Sequence, residues 1–179
     1  MKTAVLIIST MLAPWSPIPV AMAEQDVFTE LSAEFDLLDA DSAEISLSDY
    51  RGKNVLLTFG FTHCQHICPM IAANMARALK ASDTEAIGIF VSVDTERDTP
   101  AITNAYAHGF GARMIGLGGS HEQVADAARN FGVTFVVTKS EDNYTVQHTP
   151  SIFLIDPDGT IVEVFAMNTP SDDITAAMR

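Results

Sequence analysis

The stretch Asn54 to Met70, NVLLTFGFTHCQHICPM, decides how this chain is read. It opens with a continuous apolar run, Asn54 to Phe61, the pattern of a strand buried on both faces of a parallel sheet. It then turns through a short polar segment carrying Cys64 and Cys68, the only cysteines present. From Pro69 to Ala81 the apolar residues Ile71, Met75 and Leu79 fall at helical spacing. A strand, a reactive loop and a helix thus follow one another directly. In open α/β sheets, sites form at the carboxyl ends of strands.

Outward from that unit, strands and helices alternate. Ala86 to Val93 (AIGIFVSV) is a second buried strand, and Asp98-Thr99-Pro100 marks the start of a helix over Ala101 to His108, with Asp98 and Thr99 as caps. Met114 to Leu117 is a short strand. Ser120 to Phe131 opens with the capping-box sequence SHEQ and ends at Gly132. Val133 to Thr138 and Ser151 to Ile155 are expected strands. The turn Asp156-Pro157-Asp158-Gly159 pairs Thr160 to Ala166 back on the latter, and Ser171 to Met178 closes with a helix. This order predicts an α/β, thioredoxin-like three-layer α/β/α sandwich with a central mixed sheet.

The N-terminus reads as a targeting segment. Residues 1–23 hold one base, Lys2, and no acid; Ala4 to Ala13 is nearly all apolar, and Ala21-Met22-Ala23 forms a small-x-small cleavage site before Glu24. Pro14, Pro17 and Pro19 interrupt the run well short of the roughly 20 apolar residues of a membrane anchor, the weaker alternative. A single domain is expected over 24–179, with Glu24 to Glu34 as an acidic lead-in. Losing Lys2 takes the net charge from −13 to −14. Such a balance, with no basic run, excludes nucleic-acid backbones as partners. Export, to the periplasm, places the two thiols in an oxidising space where their redox state matters.

An i, i+4 spacing at a helix start brings the two cysteines to one face, with Cβ atoms about 6 Å apart. That separation suits a disulfide or two thiolates on one metal ion, and the helix N-terminus favours thiolate in both cases. His148, in TVQHTPSIFLID just before the strand Ser151 to Ile155, lies on a loop expected to face the cysteines. Two thiolates and an imidazole form a soft, low-coordinate set suited to copper, Cu(I) in particular with Cu(II) as the second state; zinc would demand a fourth ligand. A capping or surface role is the alternative for His148. Pro150 falls where thioredoxin-like folds often hold a cis-proline opposite the reactive turn.

Four segments together resemble the Sco/SenC family of copper-binding proteins that help assemble cytochrome c oxidase. They are FGFTHCQHICP, FVSVDTERDTP (Phe90 to Pro100), MIGLGGSHEQVADAARNFGV and NYTVQHTPSIFLIDPDG (Asn143 to Gly159). The resemblance implies Cys64, Cys68 and His148 as copper ligands. It implies delivery of copper to the binuclear site of oxidase subunit II or another acceptor, reduction of that site's cysteines, or both. A periplasmic copper donor or thiol reductant is then a further partner. Asp94, Arg97 and Asp98 match the family's DxERDTP segment, as caps or as part of a partner surface. His66 stands where the family commonly has an acid; on a helix it would lie about 200° round from Cys64 and face solvent. The cleavable leader also departs from the usual membrane-anchored form.

Two functions follow, a copper chaperone and a thiol-disulfide oxidoreductase in which Cys64 attacks and Cys68 resolves. The x₃ spacing departs from the C-x-x-C of thioredoxin-type exchange. His63, His108 and His121 are expected at the surface, and Met70 and Met75 in the core or at its rim. Phe59, Phe61 and Phe153 are expected to pack beneath the site and limit water access.

Overall fold

The computed structural model describes residues 31–178; the expected leader and most of the acidic lead-in lie outside them. A short antiparallel hairpin, β1 (Asp36–Leu38) and β2 (Glu44–Ser46), leads through a 3-10 turn, Leu47–Tyr50, to β3 (Asn54–Gly60). Then follow α1 (Ile67–Ala81), β4 (Ala86–Ser92), α2 (Pro100–His108), β5 (Met114–Leu117) and α3 (His121–Asn130). The C-terminal part holds β6 (Phe135–Lys139), β7 (Tyr144–His148), β8 (Ser151–Ile155), β9 (Ile161–Ala166) and α4 (Ser171–Ala177).

The central sheet has the order β5-β4-β3-β8-β9. Its first three strands are parallel, joined by α1 and α2 as crossovers, and β8 and β9 run antiparallel to close it. The result is the expected thioredoxin-like sandwich with a mixed sheet. Strand alternation separates two cores. On one face Val55, Leu57, Phe59, Val91 and Phe153 pack against Val124, Ala127 and Phe131 around α3. On the other, Leu56, Phe90, Ile152 and Leu154 pack against Cys68, Ile71, Met75 and Leu79 of α1 and Ile174 of α4. Full burial of side chains this size contributes about 1.5–3 kcal/mol each, which is what holds α1, and Cys68 with it, to the sheet.

The alternation corrects one expectation. Phe59 and Phe153 lie in the α3-side core, across the sheet from Cys68, so they do not floor the site. Gly60, the next residue along β3, faces the site instead. A Cβ there would stand 2.6 Å from the Phe90 ring and 3.2 Å from Cys68 Sγ. Glycine is what allows the phenyl ring and the sulfur to close over the strand end.

The second correction concerns β6. The segment expected as a strand from Val133 begins at Phe135 and does not join the central sheet. It pairs with Tyr144–His148, an unexpected strand, as a separate two-stranded hairpin, with Phe135 opposite His148. His148 therefore ends a strand rather than sitting in a loop. The Thr149–Pro150 bond, whose isomer the sequence leaves open, is trans, like every other peptide bond among the described residues. None of the helices among those residues is long and apolar enough to cross a membrane.

Candidate metal centre

The first turn of α1 begins two residues ahead of the predicted Pro69, at Ile67, and places Cys68 in it. Cys68 is buried in the α1-side core, while Cys64 on the preceding loop is half-buried. The Cys68 backbone N–H donates to Cys64 Sγ at 3.4 Å, so the first sulfur sits over the opening helix. His148 arrives from the hairpin, with Nε2 3.5 Å from Cys68 Sγ. Its Nδ1 lies 3.1 Å from the Thr149 carbonyl. A carbonyl can only accept, so Nδ1 carries the proton and the Nε2 lone pair points at the sulfur. Phe61 stands edge-on to the imidazole at 6.0 Å, the one member of the expected phenylalanine trio that does shield the site.

The two sulfurs are electrostatically unequal. Burial raises the Cys64 thiol, but the N–H groups of Cys68, His66 and Ile67, together with the Cys68 thiol, outweigh it and hold the pKa below the ordinary value. Burial, then the bond to Cys64, pushes Cys68 up to about 12. Burial likewise lowers His148, against the partial opposition of the Thr149 carbonyl, so its imidazole is neutral at pH 7. Cys68 is thus a protonated thiol that donates to the Cys64 sulfur and lies beside the neutral imidazole, and Cys64 is the readily ionised sulfur. Cys64, Cys68 and His148 nevertheless do not form a trio with all donor atoms within 4.8 Å of one another. Engaging one ion would require their donor atoms to draw closer together.

Two buried aspartates, both on the turn after β4, hold the two limbs of this centre. Asp98 does not cap α2; Thr99 does, its hydroxyl accepting from the Ile102 N–H at 3.3 Å. Asp98 turns inward and accepts from the Thr62 N–H (2.7 Å), the Thr62 hydroxyl (2.6 Å) and the Ser92 hydroxyl (2.6 Å). It therefore grips the loop two residues before Cys64. Asp94 accepts from Arg97 Nε (2.5 Å) and from the Tyr144 hydroxyl (2.6 Å), four residues before His148. Arg97 also lies over the Tyr144 ring, 3.9 Å from its centroid. His63, Asp94 and Asp98 do bring donor atoms within 4.8 Å of one another. Their carboxylates are already committed to these hydroxyl, amide and guanidinium donors, so the cluster acts as a hydrogen-bond hub.

The remaining candidates fall at the periphery. His63 is exposed, 3.4 Å from Asp98. His66 is exposed at the N-cap of α1 and makes no side-chain cap bond. His108 and His121 are exposed on their helices. Met75 is in the core and Met70 is exposed. Sequence reasoning marked Asp94, Arg97 and Asp98 but not their partners Thr62, Ser92 and Tyr144. Ser92 ends a fully apolar strand, where a lone hydroxyl is a recognisable signal; Tyr144 gave none.

The SCO1/SenC family model matches residues 23–179. Protein sco1 of Schizosaccharomyces pombe is 33% identical over 158 residues, 83% of this chain and 60% of the relative. The chain thus spans about three-fifths of that curated relative's length. Among solved structures, Arabidopsis thaliana ScoI with copper bound is 33% identical, with a TM-score of 0.73 over 82% of this chain and 94% of that one. BsSco, described as a member of the Sco family of cytochrome c oxidase assembly proteins with a disulfide switch, is 29% identical. Its TM-score is 0.66 over 83% of this chain and 92% of that one. With its thioredoxin-like frame and the cysteine pair at the strand end, this chain belongs to the SCO1/SenC family.

Proposed function

We propose that this chain is a copper carrier in which Cys64, Cys68 and His148 hold one Cu(I) and pass it to an acceptor protein. The observation that supports this most directly is the convergence of His148 Nε2 on Cys68 Sγ at 3.5 Å, with Nδ1 tied to the Thr149 carbonyl. Fixing one ring nitrogen by a second bond is how proteins orient a metal-ligating histidine. The donor set is also chemically suited to copper, since two sulfurs and one imidazole match Cu(I). The related Arabidopsis structure has copper bound.

Loading begins at Cys64, the more exposed and more readily ionised sulfur. Closure onto Cys68 displaces its thiol proton to solvent, and the neutral imidazole engages through the free Nε2 lone pair. Two thiol protons leave for each Cu(I) taken up. The low coordination number leaves room for an incoming thiolate, so copper passes on by ligand exchange without a free ion. The acceptor we propose is the binuclear copper site of cytochrome c oxidase subunit II. Residues 24–179 would act as one periplasmic domain after loss of the leader.

The inequality of the two sulfurs supports a second activity at the same pair. The Cys64 thiolate can attack a substrate disulfide, releasing one thiolate of the substrate; Cys68, once deprotonated, then attacks the mixed disulfide and releases the second. The substrate disulfide gains two electrons and the Cys64–Cys68 pair is oxidised. A periplasmic thiol reductant would restore it. The natural substrate is the disulfide form of a copper-site dithiol, and the disulfide switch described for BsSco fits this reading.

Titration of the reduced, metal-free protein with Cu(I) against a competing chelator tests the carrier reading. One tight equivalent is expected. His148→Ala should weaken it at least about a hundredfold, since outer partners of a metal ligand alone cost 10–100-fold. Unchanged affinity would remove His148 from the ligand set, and retained disulfide exchange in the same variant would then favour the oxidoreductase.

A further inference from the structure

We infer that Tyr144, through its hydrogen bond to Asp94, is a positioning residue that sets where His148 stands; the inference rests on the copper reading above. His148 is not placed by the central sheet. It ends β7, whose only strand partner among the described residues is β6, and the hairpin they form is half-buried on one face and exposed on the other. Along β7 the alternation puts Tyr144, Val146 and His148 on the inward face, with Thr145 and Gln147 outward. Whatever draws Tyr144 inward therefore draws His148 inward along the same edge.

Tyr144 is held at two places. Its hydroxyl donates to Asp94 Oδ1 at 2.6 Å, and its ring lies 3.9 Å beneath the Arg97 guanidinium. Arg97 is itself fixed by Asp94, with Nε and a terminal nitrogen each 2.5 Å from Oδ2. The Asp94 carbonyl accepts from the Arg97 and Asp98 N–H groups, which makes Asp94 to Asp98 one compact turn. The far end of that turn grips Thr62 through Asp98. A single turn therefore holds the cysteine loop with one carboxylate and the histidine hairpin with the other. The contact between Lys139 and Glu96 also links hairpin and turn, but both partners are more than half exposed and such pairs contribute little.

The test uses Tyr144→Phe, which keeps the ring under Arg97 and removes only the hydroxyl. In the reduced, metal-free protein, nuclear Overhauser contacts between Phe61 and the His148 ring should weaken. Amide exchange of the β6–β7 hairpin should quicken about tenfold while α1 is unchanged, the factor expected for losing a hydrogen bond to a buried carboxylate. Unaltered contacts and exchange overturn the inference. In chelator competition, Tyr144→Phe should weaken Cu(I) about tenfold in the wild-type background and add nothing to His148→Ala. A loss that persists beside His148→Ala would mean general destabilisation and overturn it. Lys139→Ala should change both readouts less than twofold; an effect equal to Tyr144→Phe would assign the role to the hairpin as a whole. If His148→Ala leaves wild-type copper affinity intact, the ligand reading fails, while the metal-free measurements still decide whether Tyr144 places His148.

Discussion

Replacing Asp98 by alanine is expected to destabilise the metal-free protein by about 3–5 kcal/mol. The carboxylate is buried and accepts from three donors, each of which loses that bond on its removal. The Ser92 hydroxyl is buried and loses a charge-assisted bond outright, a loss of about 1–3 kcal/mol. The Thr62 N–H and hydroxyl are half-buried and recover water in part, so about 1 kcal/mol each is the appropriate figure. Removing a buried negative charge returns some desolvation energy, which favours the lower part of that range. Set against the usual 5–15 kcal/mol of domain stability, the loss is large. Urea unfolding of the reduced protein measures it, with copper affinity expected to fall because Thr62 no longer anchors the loop before Cys64. Thr99→Ala is the contrasting change. It removes the true helix cap, should cost about 1 kcal/mol, and should leave copper binding unaltered. A loss below 1 kcal/mol for Asp98→Ala, or equal losses for the two variants, would refute the assignment of Asp98 as the clamp and Thr99 as the cap.

Other outcomes follow from the same geometry. Iodoacetamide at pH 7 should modify Cys64 first, because its pKa is held down and it is partly exposed, whereas Cys68 is buried and pushed up to about 12. The thiolate fraction rises as pH passes upward through the pKa, so the Cys64 rate profile should sit at lower pH than that of a free thiol. Peptide mapping showing Cys68 modified as quickly would contradict this. Gly60→Ala should lower stability by about 1–3 kcal/mol, since the added methyl meets the Phe90 ring and Cys68 Sγ; a thermal midpoint unchanged from wild type would show that the ring moves aside freely.

Much of this architecture was legible in the chain. The fully apolar runs of β3 and β4 announced buried strands, and SHEQ formed the expected reciprocal cap. The Ser120 hydroxyl accepts from the Gln123 N–H, and the Gln123 side chain accepts from the Ser120 N–H. The DPDG turn closes as its composition demands, with Asp156 accepting from the Asp158 and Thr160 N–H groups and Gly159 at a φ of +82°. The strand β6 was expected, but its pairing with β7 was not legible, because YTVQH is largely polar and the hairpin packs outside the main sheet, where hydrophobic periodicity is weak. Asp98 misled for a different reason. Two residues before a proline both had cap chemistry, and only the fold shows that Thr99 takes the cap and leaves Asp98 free to turn inward. The misplacement of Phe59 and Phe153 was avoidable: with a period of two, Gly60 facing Cys68 sends Phe59 to the opposite face.

The ligand set of the bound ion is the account's central claim, and X-ray absorption of the Cu(I)-loaded protein reads it directly. Two sulfur scatterers and one imidazole nitrogen are predicted for the wild type, with the nitrogen lost in His148→Ala and one sulfur lost when either Cys64 or Cys68 is changed to serine. A spectrum without imidazole, or one that survives the loss of His148 unchanged, would contradict it.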